Sequence, residues 1–210
     1  MKLLLASGNP KKRCELEQIL AAHGVAGVEL LSPPDVGGLA EVDEDQDTFL
    51  GNAEKKALAA ASASGLWALA DDSGLVVDAL DGAPGMRSAR FAGEPADDAR
   101  NNAKLLLELA DVQDGQRGAR FVCALVLAAP GPPARSVAEC AGEVHGRILR
   151  EPRGTGGFGY DPLFELAEDV PGRGRSFAEL SSAEKARVSH RGRALEELVR
   201  RLGELSVTLR

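Results

Sequence analysis

Two apolar runs, residues 66–70 and 75–77, are separated only by Asp71-Asp72-Ser73-Gly74. The first run has the length of a strand, and no helix fits before the second, so the stretch commits the chain to β-structure here. Carboxylates at the end of a buried strand are costly to desolvate and need partners. Ligands in α/β folds sit beyond strand ends, so this acid pair is the first place to look for chemistry. Successive strand residues point to opposite faces. Asp71 and Asp72 are therefore expected to do different jobs, one facing a cleft and the other hydrogen-bonded into the scaffold. A strand-to-turn corner built of Asp, Ser and Gly reads the same letters without any function.

The chain has 210 residues, enough for one domain with a sizeable core. Hydrophobic residues are 44% and charged residues 27%, the balance of a soluble globular protein. No apolar run approaches the ~20 residues of a membrane span. The apolar part of residues 1–9 is too short for a signal peptide and reads as a first strand. Cys14, Cys123 and Cys140 are odd in number and far apart, which suits a reducing cytoplasm. They form no zinc spacing with histidine. A net charge of −7 argues against a nucleic-acid partner but leaves room for a small phosphate ligand held by local cations.

Strand and helix signals alternate along the first half. Residues 2–6 read as a strand, followed by Ser7-Gly8-Asn9-Pro10-Lys11-Lys12. Asn9 suits a helix N-cap and Pro10 the first helical position. A helix N-terminus flanked by lysines is an anion site, because its free N–H groups point outward. A second strand is expected at 28–31. The acidic segment 41–47 leads to a Thr48 cap and an Ala-rich helix over 49–64, on which Asn52 and Lys56 share a face. Those acids serve the helix dipole or reach a metal. Asp97 or Asp98 caps a helix through Leu105, Leu106 and Leu109. Two longer strands, 119–128 and 136–148, flank Pro130-Gly131-Pro132-Pro133. That is a hairpin-like antiparallel pair, so the sheet should be mixed. The glycines of Gly154-Thr155-Gly156-Gly157-Phe158-Gly159-Tyr160-Asp161-Pro162 suit close backbone approach to a ligand. A final helix is expected to start at the capping box Ser181-Ser182-Ala183-Glu184 and to run on past Leu195. Lys185, Ser189, His190 and Arg191 decorate its first half. The whole reads as one α/β domain, 1–210, with two lobes.

Carboxylates without thiolate or histidine partners favour a hard cation, Mg²⁺ or Mn²⁺. Lysines and an arginine suit a polyphosphate. Phe158 or Tyr160 can stack on a base, and Asp161, His190 and Arg191 can read its edges. Together these outline a metal-dependent nucleoside triphosphate site. The Walker pattern of an ordinary ATPase is missing.

Six segments in order carry a resemblance: Ser-Gly-Asn-Pro-Lys-Lys at 7–12, Thr-Phe and Asn-Ala at 48–53 with Lys56, and Asp-Asp-Ser-Gly-Leu at 71–75. Ala-Pro-Gly through Ser-Ala-Arg-Phe-Ala-Gly at 83–93, Phe-Gly-Tyr-Asp-Pro-Leu-Phe at 158–164 and Ser-His-Arg-Gly at 189–192 complete the set. Their order and spacing resemble the inosine/xanthosine triphosphate pyrophosphatase family, from residue 3 to about residue 200. The resemblance implies an elongated mixed β-sheet flanked by helices, with the active-site cleft between two lobes. It also implies a cytoplasmic homodimer that uses Mg²⁺ to hydrolyse ITP, dITP or XTP to the monophosphate and pyrophosphate.

By matched motif, Ser7, Gly8, Asn9, Pro10, Lys11 and Lys12 would cradle the phosphates, with Lys56 assisting. Asp72 would be catalytic and a metal ligand, and Ser73 would touch the substrate. Glu44 would be the second metal ligand, with Asp43 and Asp45 as alternatives in the same loop. Phe158, Gly159, Tyr160, Asp161, Lys185, His190 and Arg191 would hold and read the base. Gly51 stands where the family often has Glu. Other readings are a pyrophosphatase for altered pyrimidine or methylated nucleotides, or a nucleotide-binding regulator without turnover.

Overall fold

The computed structural model describes residues 1–25 and 27–208. Strand β1 (Lys2–Leu5) leads into helix α1 (Pro10–Ala22) and strand β2 (Glu29–Leu31). Helix α2 (Phe49–Ser64) runs into β3 (Trp67–Val77), and α3 (Asp98–Glu108) precedes the long strands β4 (Gly118–Ala129) and β5 (Arg135–Ile148). A short β6 (Phe164–Leu166) and helices α4 (Ser182–Val188) and α5 (His190–Thr208) complete the order. The caps fall where the sequence puts them. Asn9 accepts the N–H of Lys11, Thr48 that of Gly51, and Asp97 that of Arg100, while Gly65 ends α2 in the left-handed conformation.

The six strands form one sheet in the order β2-β1-β3-β4-β5-β6. β1 pairs in parallel with β2 and β3, through α1 and α2 as crossovers, and β5 pairs antiparallel with β6. The link 130–134 is too short for a parallel crossover. The sheet is therefore mixed, as the hairpin signal requires.

Two expectations are corrected. The acid pair does not end a strand: β3 continues through Asp71, Asp72, Ser73 and Gly74 to Val77. The turn formers do not turn because both carboxylates find cations within the fold, so no exit to solvent is needed. The last helix is two helices rather than one. Ser189 is fully buried and extended (φ −73°, ψ 159°), and its N–H closes α4 on the Lys185 carbonyl at 2.9 Å. No Pro or Gly marks that break.

The chain divides into two compact units. The first comprises Met1–Asp72, Cys123–Gly142 and the chain from Arg191 onward. Its core is small-residue packing: Ala53, Ala57, Ala60 and Ala61 recur at helical spacing on α2 and meet Leu4, Ala68, Ala70, Ala124, Val126 and Ala128 of the strands. The second comprises Ser73–Val122 and Glu143–His190. Its core is aromatic, with Phe121, Phe164 and Phe177 at centroid separations of 4.7, 5.7 and 4.9 Å. Among the described residues no helix is long and apolar enough to cross a membrane.

Candidate active site

In the first unit, α1 begins at the loop expected to bind anions. Asn9 N–H donates to Ser7 Oγ at 3.2 Å, and Asn9 Oδ1 caps Lys11 N–H at 2.9 Å. Gly8, Pro10 and Lys11 are exposed, and Lys12 turns inward, 3.0 Å from Asp71. Asp71 is 5% exposed. It also takes Arg191 Nε at 3.0 Å, and Arg191 Nη1 reaches Glu15 at 2.8 Å. A buried chain Lys12–Asp71–Arg191–Glu15 results. Burial alone would raise the Asp71 pKa. The charges of Lys12, Arg191 and Lys56 outweigh it and hold the carboxyl well below the usual range.

Asp72, on the other face of β3, has a separate set of partners. Asn52 Nδ2 donates to its Oδ2 at 3.2 Å, and Lys56 Nζ lies 3.3 Å from its Oδ1. These are the two α2 residues expected to share a face. Lys56 also holds Glu44 at 2.8 Å. Burial raises the Asp72 pKa, Lys56 opposes that rise and Glu44 adds to it. Burial likewise works against the charge of Lys56, but Asp72 and Glu44 prevail and its pKa is raised. The acidic loop is pinned by Gln46 N–H on Asn52 Oδ1 at 3.0 Å. Lys55 takes the Asp43 carbonyl and the Asp45 carboxylate at 2.9 and 2.8 Å. Of the three candidate acids, Glu44 is the one that meets Asp72 at a common cation.

The second unit holds the other group. Asp161 and Lys185 form a buried ion pair at 2.7 Å, with side chains 3% and 9% exposed. Asp161 Oδ2 also accepts Phe158 N–H at 2.7 Å. Lys185 Nζ sits 4.8 Å over the Phe158 ring. Tyr160 OH donates to the Ser88 carbonyl at 2.8 Å, and burial pushes that phenol above its usual range. His190 stacks on Phe121 at 4.8 Å. Ser73 is half-buried and opens this unit.

Three glycines of this loop, Gly154, Gly156 and Gly157, lie against the protein's own backbone or side chains. A Cβ at Gly156 would lie 2.9 Å from the Ala178 carbonyl oxygen, and one at Gly157 would run into the Asp161 carboxylate. The close backbone approach that Gly156 and Gly157 allow is to Ala178 and Asp161.

One participant, Glu15, lies outside the sequence reading, and the partners of Asp71 were not legible in it. Glu15 had a visible signal: it shares the buried face of α1 with Leu16, Ile19 and Leu20. A carboxylate on an apolar face requires a cation. That cation is 176 residues away, which no local pattern reveals. The supporting role of Asp71 follows in the same way from partners on α1 and α5.

The arrangement defines a mixed α/β protein with two differently tuned acids side by side on a central strand and lysines beside both. Its family is the Ham1 family, whose profile matches residues 3–201, and the chain belongs to it. It is 51% identical to a dITP/XTP pyrophosphatase of Corynebacterium efficiens over 98% of this chain and 99% of the relative. It is also 51% identical to one of Mycobacterium tuberculosis, over 98% and 97%. Among solved structures, a HAM1 protein from Coxiella burnetii superposes with TM-score 0.82 at 39% identity, covering 97% and 99% of the two chains. A nucleoside-triphosphatase / dITP/XTP pyrophosphatase from Mycobacterium abscessus gives TM-score 0.71 at 48% identity, over 94% and 97%.

Proposed function

We propose that this chain hydrolyses deaminated purine nucleoside triphosphates, ITP, dITP and XTP, to the monophosphate and pyrophosphate. The observation that carries the reading is the pair of adjacent acids with separate partners, Asp71 on Lys12 and Arg191, and Asp72 on Lys56 and Asn52. Family membership and full-length relatives named for this activity support it.

In this reading Asp72 orients the attacking water and takes its proton. A base with a raised pKa accepts a proton more readily, and such a group contributes about 10²–10⁴-fold. Lys56, already 3.3 Å from Asp72, faces the developing negative charge. Lys12 and the positive end of the α1 dipole receive the leaving pyrophosphate. Asp71 and Glu15 orient the Arg191 guanidinium, a donor for the purine 6-oxo group. An amino group there leaves buried donors unpaired, a strong basis for rejecting adenine. Phe158, with the Lys185 ammonium over one face of its ring and its N–H held by Asp161, forms the platform for the base.

Among the described residues no three His, Cys, Asp or Glu side chains gather into a metal cage. Two carboxylates converging on one ammonium, Glu44 and Asp72 on Lys56, nevertheless fit Mg²⁺, which takes one or two carboxylates and completes its shell with water and phosphate. Held there, Mg²⁺ (or Mn²⁺) would neutralise the triphosphate charge and polarise the reacting phosphoryl group. The free cysteines Cys14, Cys123 and Cys140 and the family resemblance support a cytoplasmic enzyme. The resemblance alone supports a homodimer.

A panel of nucleoside triphosphates scored for pyrophosphate release tests the proposal. Release from ITP, dITP and XTP well above ATP and GTP is the expected result. Preference for an altered pyrimidine or methylated nucleotide, or binding without turnover, overturns it.

A further inference from the structure

We propose that Asp98 and Asn102 are positioning residues of the base subsite, acting through Gly159. The inference rests on the reading of residues 158–161 as the base platform. Both residues lie on α3 at i and i+4, so they share one face of the helix. Gly159 N–H donates to Asp98 Oδ2 at 2.9 Å, and Asn102 Nδ2 donates to the Gly159 carbonyl at 2.9 Å. One helix face therefore grips both polar groups of a single glycine.

The grip has a mechanical reason. Gly159 is in the left-handed region, φ +61°, and a Cβ built on it would meet nothing within 4 Å. No side-chain packing holds it, and glycine is the residue with most backbone freedom to lose. Phe158 and Tyr160 hang on either side of it. Phe158 N–H is fixed by Asp161 and the Tyr160 hydroxyl by Ser88. The peptide between them is fixed by α3. The helix is itself anchored: Asn101, its next residue inward, takes the Ala92 N–H at 2.7 Å and donates to the Ala89 carbonyl at 2.9 Å. The orientation of the Asn102 amide is dictated by its partner, since a flipped amide would set oxygen against the Gly159 carbonyl.

Asp98, Asn102 and Gly159 belong to the second unit, whereas Glu44, Lys56 and Asp72 belong to the first. Loosening the grip should therefore weaken binding of the base and leave the chemical step alone. The test is steady-state kinetics with ITP and ATP for Asp98→Ala, Asn102→Leu, Asp98→Asn and Phe158→Ala, each checked by thermal melting. Asn102→Leu and Asp98→Ala are expected to raise KM for ITP about three- to tenfold, the loss of one hydrogen bond. Their kcat should stay within about twofold, and the ITP-to-ATP preference in kcat/KM should narrow. Asp98→Asn keeps an acceptor for Gly159 N–H and should restore a KM near the wild-type value. Unchanged KM in both disruptive variants, a fall in kcat at constant KM, or an Asp98→Asn defect equal to Asp98→Ala would overturn the inference. Phe158→Ala separates the two levels. If it leaves KM for ITP unchanged, the base platform itself is wrong. If it raises KM while the α3 variants do not, only the role of Asp98 and Asn102 fails.

Discussion

Replacing Asp71 with Asn removes the central charge of the chain Lys12–Asp71–Arg191–Glu15. Breaking a buried ion pair from one side costs about 3–5 kcal/mol, because the remaining charge is left uncompensated. Two features reduce that here. The Lys12 side chain is 19% exposed and can reach water, and Arg191 keeps Glu15 at 2.8 Å. The expected loss is therefore about 2–4 kcal/mol, a fall of about 1–2 M in the urea midpoint for an m-value near 2 kcal/mol/M. Asp78→Asn is the control: its contact with Arg120 is 3.5 Å long with the Asp78 side chain 64% exposed, and the midpoint should scarcely move. The pH dependence has a definite sign. The folded Asp71 pKa is depressed, so its contribution is complete above the unfolded value of about 3.9 and is lost as pH falls toward the folded one. Urea titrations in EDTA should show the gap between Asn variant and wild type full at pH 7 and shrinking below about pH 4. An unchanged midpoint at pH 7, or a gap that grows on acidification, would refute the reasoning.

Asp72→Asn should lose at least about 10²-fold in kcat on ITP. It should be no less stable than wild type at pH 7, since a carboxylate with a raised pKa opposes folding once ionised; a large drop in melting temperature would contradict this. Lys56→Met removes the ammonium that opposes the rise of the Asp72 pKa, so the acid limb of the kcat/KM profile should move to higher pH, and an unmoved limb would place Lys56 elsewhere. Gly157→Ala should destabilise the fold by about 2 kcal/mol or more, because the residue has φ +71° and the new methyl meets the Asp161 carboxylate; a variant with unchanged melting would show that the loop can re-form.

The local signals in the sequence translated well into structure. Asn9, Thr48 and Asp97 cap helices because their side chains satisfy N–H groups two or three residues on, an interaction written within a few letters. The spacing of Asn52 and Lys56 placed both on Asp72 for the same reason. Long-range pairing was not legible. Whether Asp71 and Asp72 end a strand depends on Lys12, Arg191, Asn52 and Lys56, of which two lie far away in the chain. The Ser189 break depends on burial of an extended serine, which leaves no compositional mark. The glycine-rich loop was readable as a close-approach segment, but that Gly156 approaches Ala178 and Gly157 approaches Asp161 was not, because both contacts need the folded chain. The two acids were expected to differ, and strand alternation alone was enough to say so. Which acid would be held ionised required the four partners.

Because pyrophosphate is the leaving group, water in the proposed reaction attacks the α-phosphorus of ITP, with Asp72 as base. Turnover in H₂¹⁸O, with both products analysed by mass spectrometry, tests this directly. One ¹⁸O in the nucleoside monophosphate and none in the pyrophosphate is the expected result. Label in the pyrophosphate, or release of inosine diphosphate with labelled phosphate, would contradict it.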